Sequence, residues 1–375
     1  MTKYSLKTLL QDESKFLVYL NSNNYQDGFK SVFARGSKKV RLQEVDQSEC
    51  FGLLSYDLKE SLCEVKSDNY DFNHCNETVF FKSDVVFEEV VNDLEIKDLS
   101  SISFKALESK EEYIAKVNQL KEHLHDGDIY EINYCTSFVA ENIRLNPVDL
   151  YAKLNSLSPM PFSGIFKNDD LWVICASPER FLKKKGDKII SQPIKGTMRR
   201  GVTGKEDDEN KALLKNSDKE RGENLMIVDL VRNDLNRICK TDTVKVPELF
   251  GIHPYPRVFQ MISTIEGELE ANKSFADVLA ATFPMGSMTG APKLKAMQLI
   301  EKYENFKRGY FSGSLGWFKE GDFDFNVIIR SLIYNESRQT LTFSVGSAIT
   351  FLCDAEQEYE ECLLKASAIQ SCFSS

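Results

Sequence analysis

Residues 191–201 read SQPIKGTMRRG, and the rest of the chain is organised around them. The β-rich run Lys188-Ile189-Ile190 leads in. Pro193 has no amide proton to give, so a strand ladder is expected to stop there or to become an edge. Gly196 permits a tight turn or a close approach of the backbone to a ligand. Between them stands Lys195, one amine among residues that shape backbone rather than solvate charge. If burial lowers its pKa it can serve as a nucleophile. It can equally be a solvent-facing turn lysine, and these residues alone leave both readings open.

Composition narrows the classes. A chain of 375 residues holds one large domain or two or three small ones. Its 42% apolar and 28% charged residues are those of an ordinary globular protein. A net charge of -10 without any Lys/Arg run argues against a nucleic-acid surface. Nine scattered cysteines with no C-x-x-C suggest reduced thiols rather than a disulfide framework. The N-terminal MTKYSLKTLLQDESK is too polar for a secretory leader, and no apolar run approaches the roughly 18 residues that span a bilayer. The expectation is a cytoplasmic chain with neither nucleic acid nor membrane as partner.

Several segments carry candidate chemistry. Ser109 with Glu112 forms a capping box, and Ile114, Val117, Leu120 and Leu124 follow on one helical face. Residues 129–138 read as a strand. The run Leu171–Ser177 is apolar throughout, a strand buried on both faces, and it leads into Glu179, a plausible acid or a turn carboxylate paired with Arg180. Residues 204–211 look like a charged surface loop, and 211–239 like one helix in which Glu220 and Glu223 share a face. Residues 286–293, GSMTGAPK, read as a loop opening a helix near Pro292, whose amides could face an anion. They lack P-loop spacing, so nucleotide binding is rejected. The runs 311–318, 323–334 and 340–351, separated by short turns, predict an antiparallel meander. Arg330 in an apolar run needs an anionic partner. Asp354 caps a last helix on which Glu358 and Glu361 share a face and Lys365 lies four beyond Glu361. No repeat or linker divides the chain, which suggests one large α+β domain.

If the two Glu pairs converge, four carboxylates surround one point and call for a hard divalent cation such as Mg2+. Arg330, Lys365 and the 286–293 junction would supply anion donors. The sketch is a Mg2+-dependent enzyme acting on a small polycarboxylate near Lys195 and Glu179.

Seven motifs in order, SPERF (177–181), QPIKGT (192–197), ERGENLMIVDLVRND (220–234), GSMTGAPK (286–293), FSG (311–313), VIIR (327–330) and EYEECLLKA (358–366), resemble the chorismate-binding enzyme family over roughly residues 110–370. The resemblance implies a single domain, 1–375, of two antiparallel sheets packed face to face with helices outside. Residues 1–107 would be its reduced N-terminal part and 108–372 its catalytic core. It also implies Mg2+ and chorismate.

Within the family, PIKGT is similar to the aminodeoxychorismate synthase component I branch. That branch makes 4-amino-4-deoxychorismate from chorismate and ammonia, on the way to para-aminobenzoate and folate. Anthranilate and isochorismate-type relatives usually carry Ala at Lys195. The isochorismate branch places a water-activating lysine where Glu131 stands here, which argues against water addition.

By that resemblance Lys195 would attack C2 while Glu179 protonates the departing C4 hydroxyl. Glu223 and Glu361 would bind Mg2+ directly, with Glu220 and Glu358 supporting through water. Gly196 and Thr197 would contact the ring carboxylate, with Thr289 in the same substrate-binding set. Arg330 and Lys365 would hold the enolpyruvyl carboxylate, aided by backbone at Gly346. Phe311, Gln260 and Ser347-Ala348 depart from the usual Tyr, His and glycine pair, and no tryptophan-binding signature is evident. No amidotransferase or lyase domain is recognised, so a glutamine amidotransferase subunit is the expected partner. Anthranilate synthase component I, an isochorismate synthase-type enzyme and a non-catalytic binding subunit are the alternatives.

Overall fold

A computed structural model describes residues 4–373. Strand Leu171–Ser177 shows how its layers form. Leu171, Val173 and Cys175 join one buried cluster, while Trp172, Ile174 and Ala176 join another, because successive strand side chains point to opposite faces. Strand Phe16–Asn21 divides in the same way, with Phe16, Val18 and Leu20 on one side and Leu17 and Tyr19 on the other.

The first cluster also receives Phe51 and Leu53, Val79 and Phe81, and Phe323 and Phe325 from strands of a second sheet. It is therefore the interior between two sheets. The second cluster takes in Val117 and Leu120 of helix Lys110–His125, Leu150 and Leu154 of Pro147–Leu157, Ile300 of Lys293–Tyr303, and Cys362 and Ala366 of Ala355–Gln370. Those helices cover the outer face of the first sheet. The architecture is α+β, as the sequence suggests.

Each sheet has ten strands among the described residues, and the pairings within both are antiparallel. The first begins at one edge with Gly290–Ala291, then Glu131–Ala140, Thr340–Thr350, Ser331–Asn335 and Leu171–Ser177. The second contains Arg180–Lys185, Lys188–Gln192, Ile194–Arg199, Val258–Glu268, Asp322–Asn326 and Ser314–Lys319. Residues before 107 contribute strands to both, among them Phe16–Asn21 and Val32–Gly36 in the first and Cys50–Leu54 and Thr78–Lys82 in the second. No helix among the described residues is long and apolar enough to cross a membrane. The nine cysteines are unpaired.

Three local expectations change, and a fourth resolves between its alternatives. At Pro193 the ladder does not stop but becomes an edge: Ser191 pairs with Ile265 and Ile194 with Ile262 in one continuous register, and Ile194–Arg199 lies at the end of the second sheet against Val258–Glu268. The Pro193 carbonyl still accepts the Ser263 amide at 3.3 Å, so only the donor that proline lacks is missing. Residues 204–211 are not a loop but begin helix Gly204–Asn216, capped by Thr203. A second helix, Asp218–Asn236, starts at Ser217, whose hydroxyl accepts the Glu220 amide. That serine splits the single long helix expected over 211–239.

The C-terminal strands do not form a meander. Ser314–Lys319 and Asp322–Asn326 pair in the second sheet, whereas Ser331–Asn335 and Thr340–Thr350 pair in the first. Residues 327–330 carry the chain across, with Arg330 at φ +50°. Val327 and Ile328 are fully buried in the intersheet core, so apolarity there marks a crossing rather than a strand.

Candidate active site

Lys195 lies in a bulge. Ile194 pairs with Ile262, yet Thr197, three residues on, pairs with Gln260, only two back. The extra residue breaks the alternation and re-aims the side chains around it. The Lys195 ammonium meets Glu131 Oε1 at 2.6 Å, with side-chain exposures of only 10% and 1%. Glu131 opens strand Glu131–Ala140 of the first sheet, so this pair ties one sheet to the other. Lys195 is therefore no solvent-facing turn lysine. Burial works to lower its pKa, but the carboxylates of Glu131, Glu223 and Glu179 outweigh it and hold the amine above its ordinary value. The resting lysine is a cation, the reverse of the lowered pKa that burial alone would give.

Gly196, at φ +94°, lets the strand approach helices Gly204–Asn216 and Asp218–Asn236. A methyl group there would lie 2.9 Å from Glu220 Oε2 and 3.1 Å from Leu214 Cδ1. Gly196→Ala is expected to lower stability by about 1–3 kcal/mol, from backbone strain and this contact. Chemical denaturation measures it, and an unchanged midpoint would mean that the helices yield freely.

Glu179 follows strand Leu171–Ser177. Its amide donates to Ser177 Oγ at 3.1 Å and its carbonyl accepts Val327 N at 3.0 Å. It is 4% exposed. Burial pushes its carboxyl up to about 7, against the pull of Lys195.

The two glutamate-bearing helices, Asp218–Asn236 and Ala355–Gln370, meet through a lysine that sequence reasoning passed over. Lys219 Nζ lies 2.9 Å from Glu358 Oε1 and 4.0 Å from Glu223 Oε1. Burial opposes its charge, but Glu358, Glu223 and Glu361 together raise its pKa. Glu223 is pushed up to about 7 by burial, and further by Glu131 and Glu220, against Lys195 and Lys219. Burial raises Glu220, with Glu361 adding to it. Glu361 sits lower than usual because Lys365, 2.7 Å away, outweighs its burial.

The acidic helices thus close on one another. Even so, no three His, Cys, Asp or Glu side chains among the described residues are grouped so as to hold a metal ion. Glu358 and Glu361 are turned onto Lys219 and Lys365 instead. The donor chemistry does suit a hard cation: all four candidates are carboxylates, and the buried Glu223 Oε1 has no hydrogen-bond partner.

Arg330 has no carboxylate partner among the described residues; its NH1 meets Met160 Sδ at 3.8 Å. Burial lowers its pKa, and a partly buried guanidinium without a counter-ion is an anion site in waiting. Lys365 donates to the Gly346 carbonyl at 2.8 Å. Gly346 itself has a structural duty, since a methyl group there would lie 2.5 Å from Cys135 Sγ. Thr197 is exposed beside the bulge. Thr289 is buried, its hydroxyl held by the Met285 and Gly286 carbonyls and its own carbonyl by Asn133 N. Of the departures, Phe311 is buried, Gln260 is buried with Oε1 unpartnered, and Ser347 Oγ is tied to Tyr113 at 3.0 Å.

The supporting residues escaped sequence reasoning. Lys293 of GSMTGAPK binds Asp234 of LVRND at 2.5 Å, so these motifs lock to each other. Arg308 pairs with Glu304 and donates to the Met288 and Asn133 carbonyls at 2.6 and 2.8 Å. It therefore clamps the strand that starts with Glu131. No spacing rule foretells such a clamp.

The sequence model described as chorismate binding enzyme matches residues 89–371. The aminodeoxychorismate synthase of Arabidopsis thaliana chloroplasts is 40% identical over 273 residues, 72% of this chain and 30% of that protein. Aminodeoxychorismate synthase component 1 of Bacillus subtilis is 34% identical over 281 residues, 75% of this chain and 59% of that protein. The chain thus spans less than two thirds of the length of these relatives. Anthranilate synthase component I from Streptococcus pneumoniae shares the fold, with a TM-score of 0.79 and 24% identity over 95% of this chain and 92% of that one. On its motifs, its two-sheet architecture and these matches, the chain belongs to the chorismate binding enzyme family.

Proposed function

We propose that this chain is the chorismate-aminating subunit, component I, of an aminodeoxychorismate synthase. The observation that carries the reading is the buried Lys195 amine, aimed inward by a bulge and accompanied by an acid with a pKa near 7. The names of the curated relatives support it. Arg330 and Lys365 would hold the enolpyruvyl carboxylate beside Gly346, and Gly196, Thr197 and Thr289 would face the ring carboxylate. Glu223 and Glu361, backed by Glu220 and Glu358, would hold Mg2+, which neutralises charge at the ring carboxylate.

Lys195, as the free amine, adds to C2. The diene pairs shift, and Glu179 protonates the C4 hydroxyl so that it leaves as water. Ammonia then adds at C4, the pairs shift back and Lys195 is released. The subunit is cytoplasmic in this reading, takes ammonia directly and uses glutamine only beside an amidotransferase subunit.

Incubation with chorismate, Mg2+ and ammonium tests the proposal. The product expected by mass is 4-amino-4-deoxychorismate; anthranilate with pyruvate would overturn the reading. Glutamine alone should give no turnover. An acid with a pKa near 7 also sets a pH limb: Glu179 donates only when protonated, so kcat should fall as pH rises through about 7. Glu179→Gln should remove this limb and cost about 10²–10⁴ in rate.

A further inference from the structure

Lys195 must lose a proton before it can attack carbon, yet five carboxylates face it: Glu131 from the first sheet, Glu179 from the turn after Leu171–Ser177, Glu220 and Glu223 from one helix and Glu361 from the other. Only Glu131 makes a hydrogen bond to it, at 2.6 Å. Glu131 is fully buried, and its second oxygen, Oε2, has no partner. Its position is fixed from behind. Strand Gly290–Ala291 pairs with it, and a side chain at Gly290 would collide with the Glu131 carbonyl at 2.2 Å. The carboxylate oxygen without a partner therefore belongs to a rigid residue that touches the reacting nitrogen.

We propose that Glu131 is the catalytic base that takes the proton of Lys195 as the amine attacks, and returns it when the lysine is expelled. This rests on the aminase reading above.

The balance is complete. The Lys195 ammonium gives one proton to the Glu131 carboxylate, leaving amine and carboxylic acid. The amine nitrogen bonds to C2, the two ring π pairs shift, and the C4–O bond breaks as Glu179 protonates the leaving oxygen. When ammonia bonds at C4 the pairs return and the C2–N bond breaks. Lys195 leaves as the amine and regains its proton from Glu131, while Glu179 accepts one from the new ammonium group. No proton need pass to solvent during the attack. An ion pair costs more than its neutral form in a dry site, so exclusion of water by the bound substrate drives the transfer in the right direction.

The test is single-turnover formation of the chorismate adduct, read by intact mass, for the full chain and for Glu131→Gln. The wild-type product with ammonium is checked first: its absence sinks the aminase reading, whereas its presence isolates the role of Glu131. With the base removed, Lys195 must deprotonate to solvent. Adduct formation near pH 7 should then fall by about 10²–10⁴. The ratio of variant to wild-type rate should climb about tenfold per pH unit until the lysine is deprotonated, and taking the ratio cancels the Glu179 limb. Glu131→Asp, which keeps a carboxylate, should restore part of the rate with no such climb, and it decides the matter if the Gln variant does not fold. A ratio near one at every pH overturns the proposal. So does a ratio that is low but flat, the signature of a lysine merely misplaced, and so does an Asp variant as slow as the Gln variant.

Discussion

Lys195→Ala is expected to abolish adduct formation and to lower the ammonia-dependent rate by on the order of 10³-fold or more, since removal of a nucleophile leaves only binding and electrostatics. The comparison that separates chemistry from charge is Lys195→Arg. It keeps a cation opposite Glu131, but a guanidinium does not deprotonate in a protein and cannot add to C2. Both variants should bind chorismate, because Arg330 and Lys365 are untouched, and neither should gain the mass of a ring adduct. Turnover by the Arg variant within tenfold of wild type would remove covalent catalysis from the reading, leaving Lys195 as a counter-ion. The Ala variant has a second consequence. It strands Glu131, whose two oxygens would then both lack partners in a fully buried position, so a loss of stability should accompany the loss of rate.

Arg308→Ala is expected to be the most destabilising single change at the periphery of the site, at about 3–5 kcal/mol. Arg308 is 3% exposed and Glu304 4%. The guanidinium donates to Glu304 Oε2 at 2.9 Å through Nε, to Met288 O at 2.6 Å and to Asn133 O at 2.8 Å. It also lies 4.5 Å from the centre of the Tyr56 ring. Truncation strips a buried carboxylate of its counter-charge, leaving it only the Cys135 amide at 2.9 Å, and takes the Arg308 donor from two carbonyls, at a point where water has no ready entry. The cost comes from the abandoned charge, so Arg308→Met combined with Glu304→Leu should recover much of it. Urea denaturation of the single and double variants measures both. A single-variant loss below 1 kcal/mol would mean that solvent reaches Glu304.

The sequence made the candidate site more legible than its frame. Lys195, Glu179 and the two Glu pairs could be singled out because unusual residue types stood at helical spacing or at the end of an apolar strand. The Ser109 and Asp354 caps could be read from three-residue spacing, and both form. What escaped was decided by contacts distant in sequence. Glu131 could be noted as a position, but nothing local says that it meets Lys195, 64 residues away. Lys219 was passed over because its role comes from the second helix, which places Glu358 against it. Residues 323–334 read as one strand because apolarity reports burial and not which layer does the burying. The bulge at Lys195 was hidden because register is settled between strands and not within one.

The passage of the chain through residues 327–330 has a mechanical consequence. These four residues are at once the strut between the layers and the mount for Arg330, so the guanidinium has no tether of its own to absorb slack. In the proposed function, its place at the substrate would be inherited from the spacing of the two sheets. Trimming Val327 or Ile328 should therefore register as weakened chorismate binding as well as a lower melting point, and the protein's grip on its ligand becomes a gauge of how tightly its two halves are pressed together.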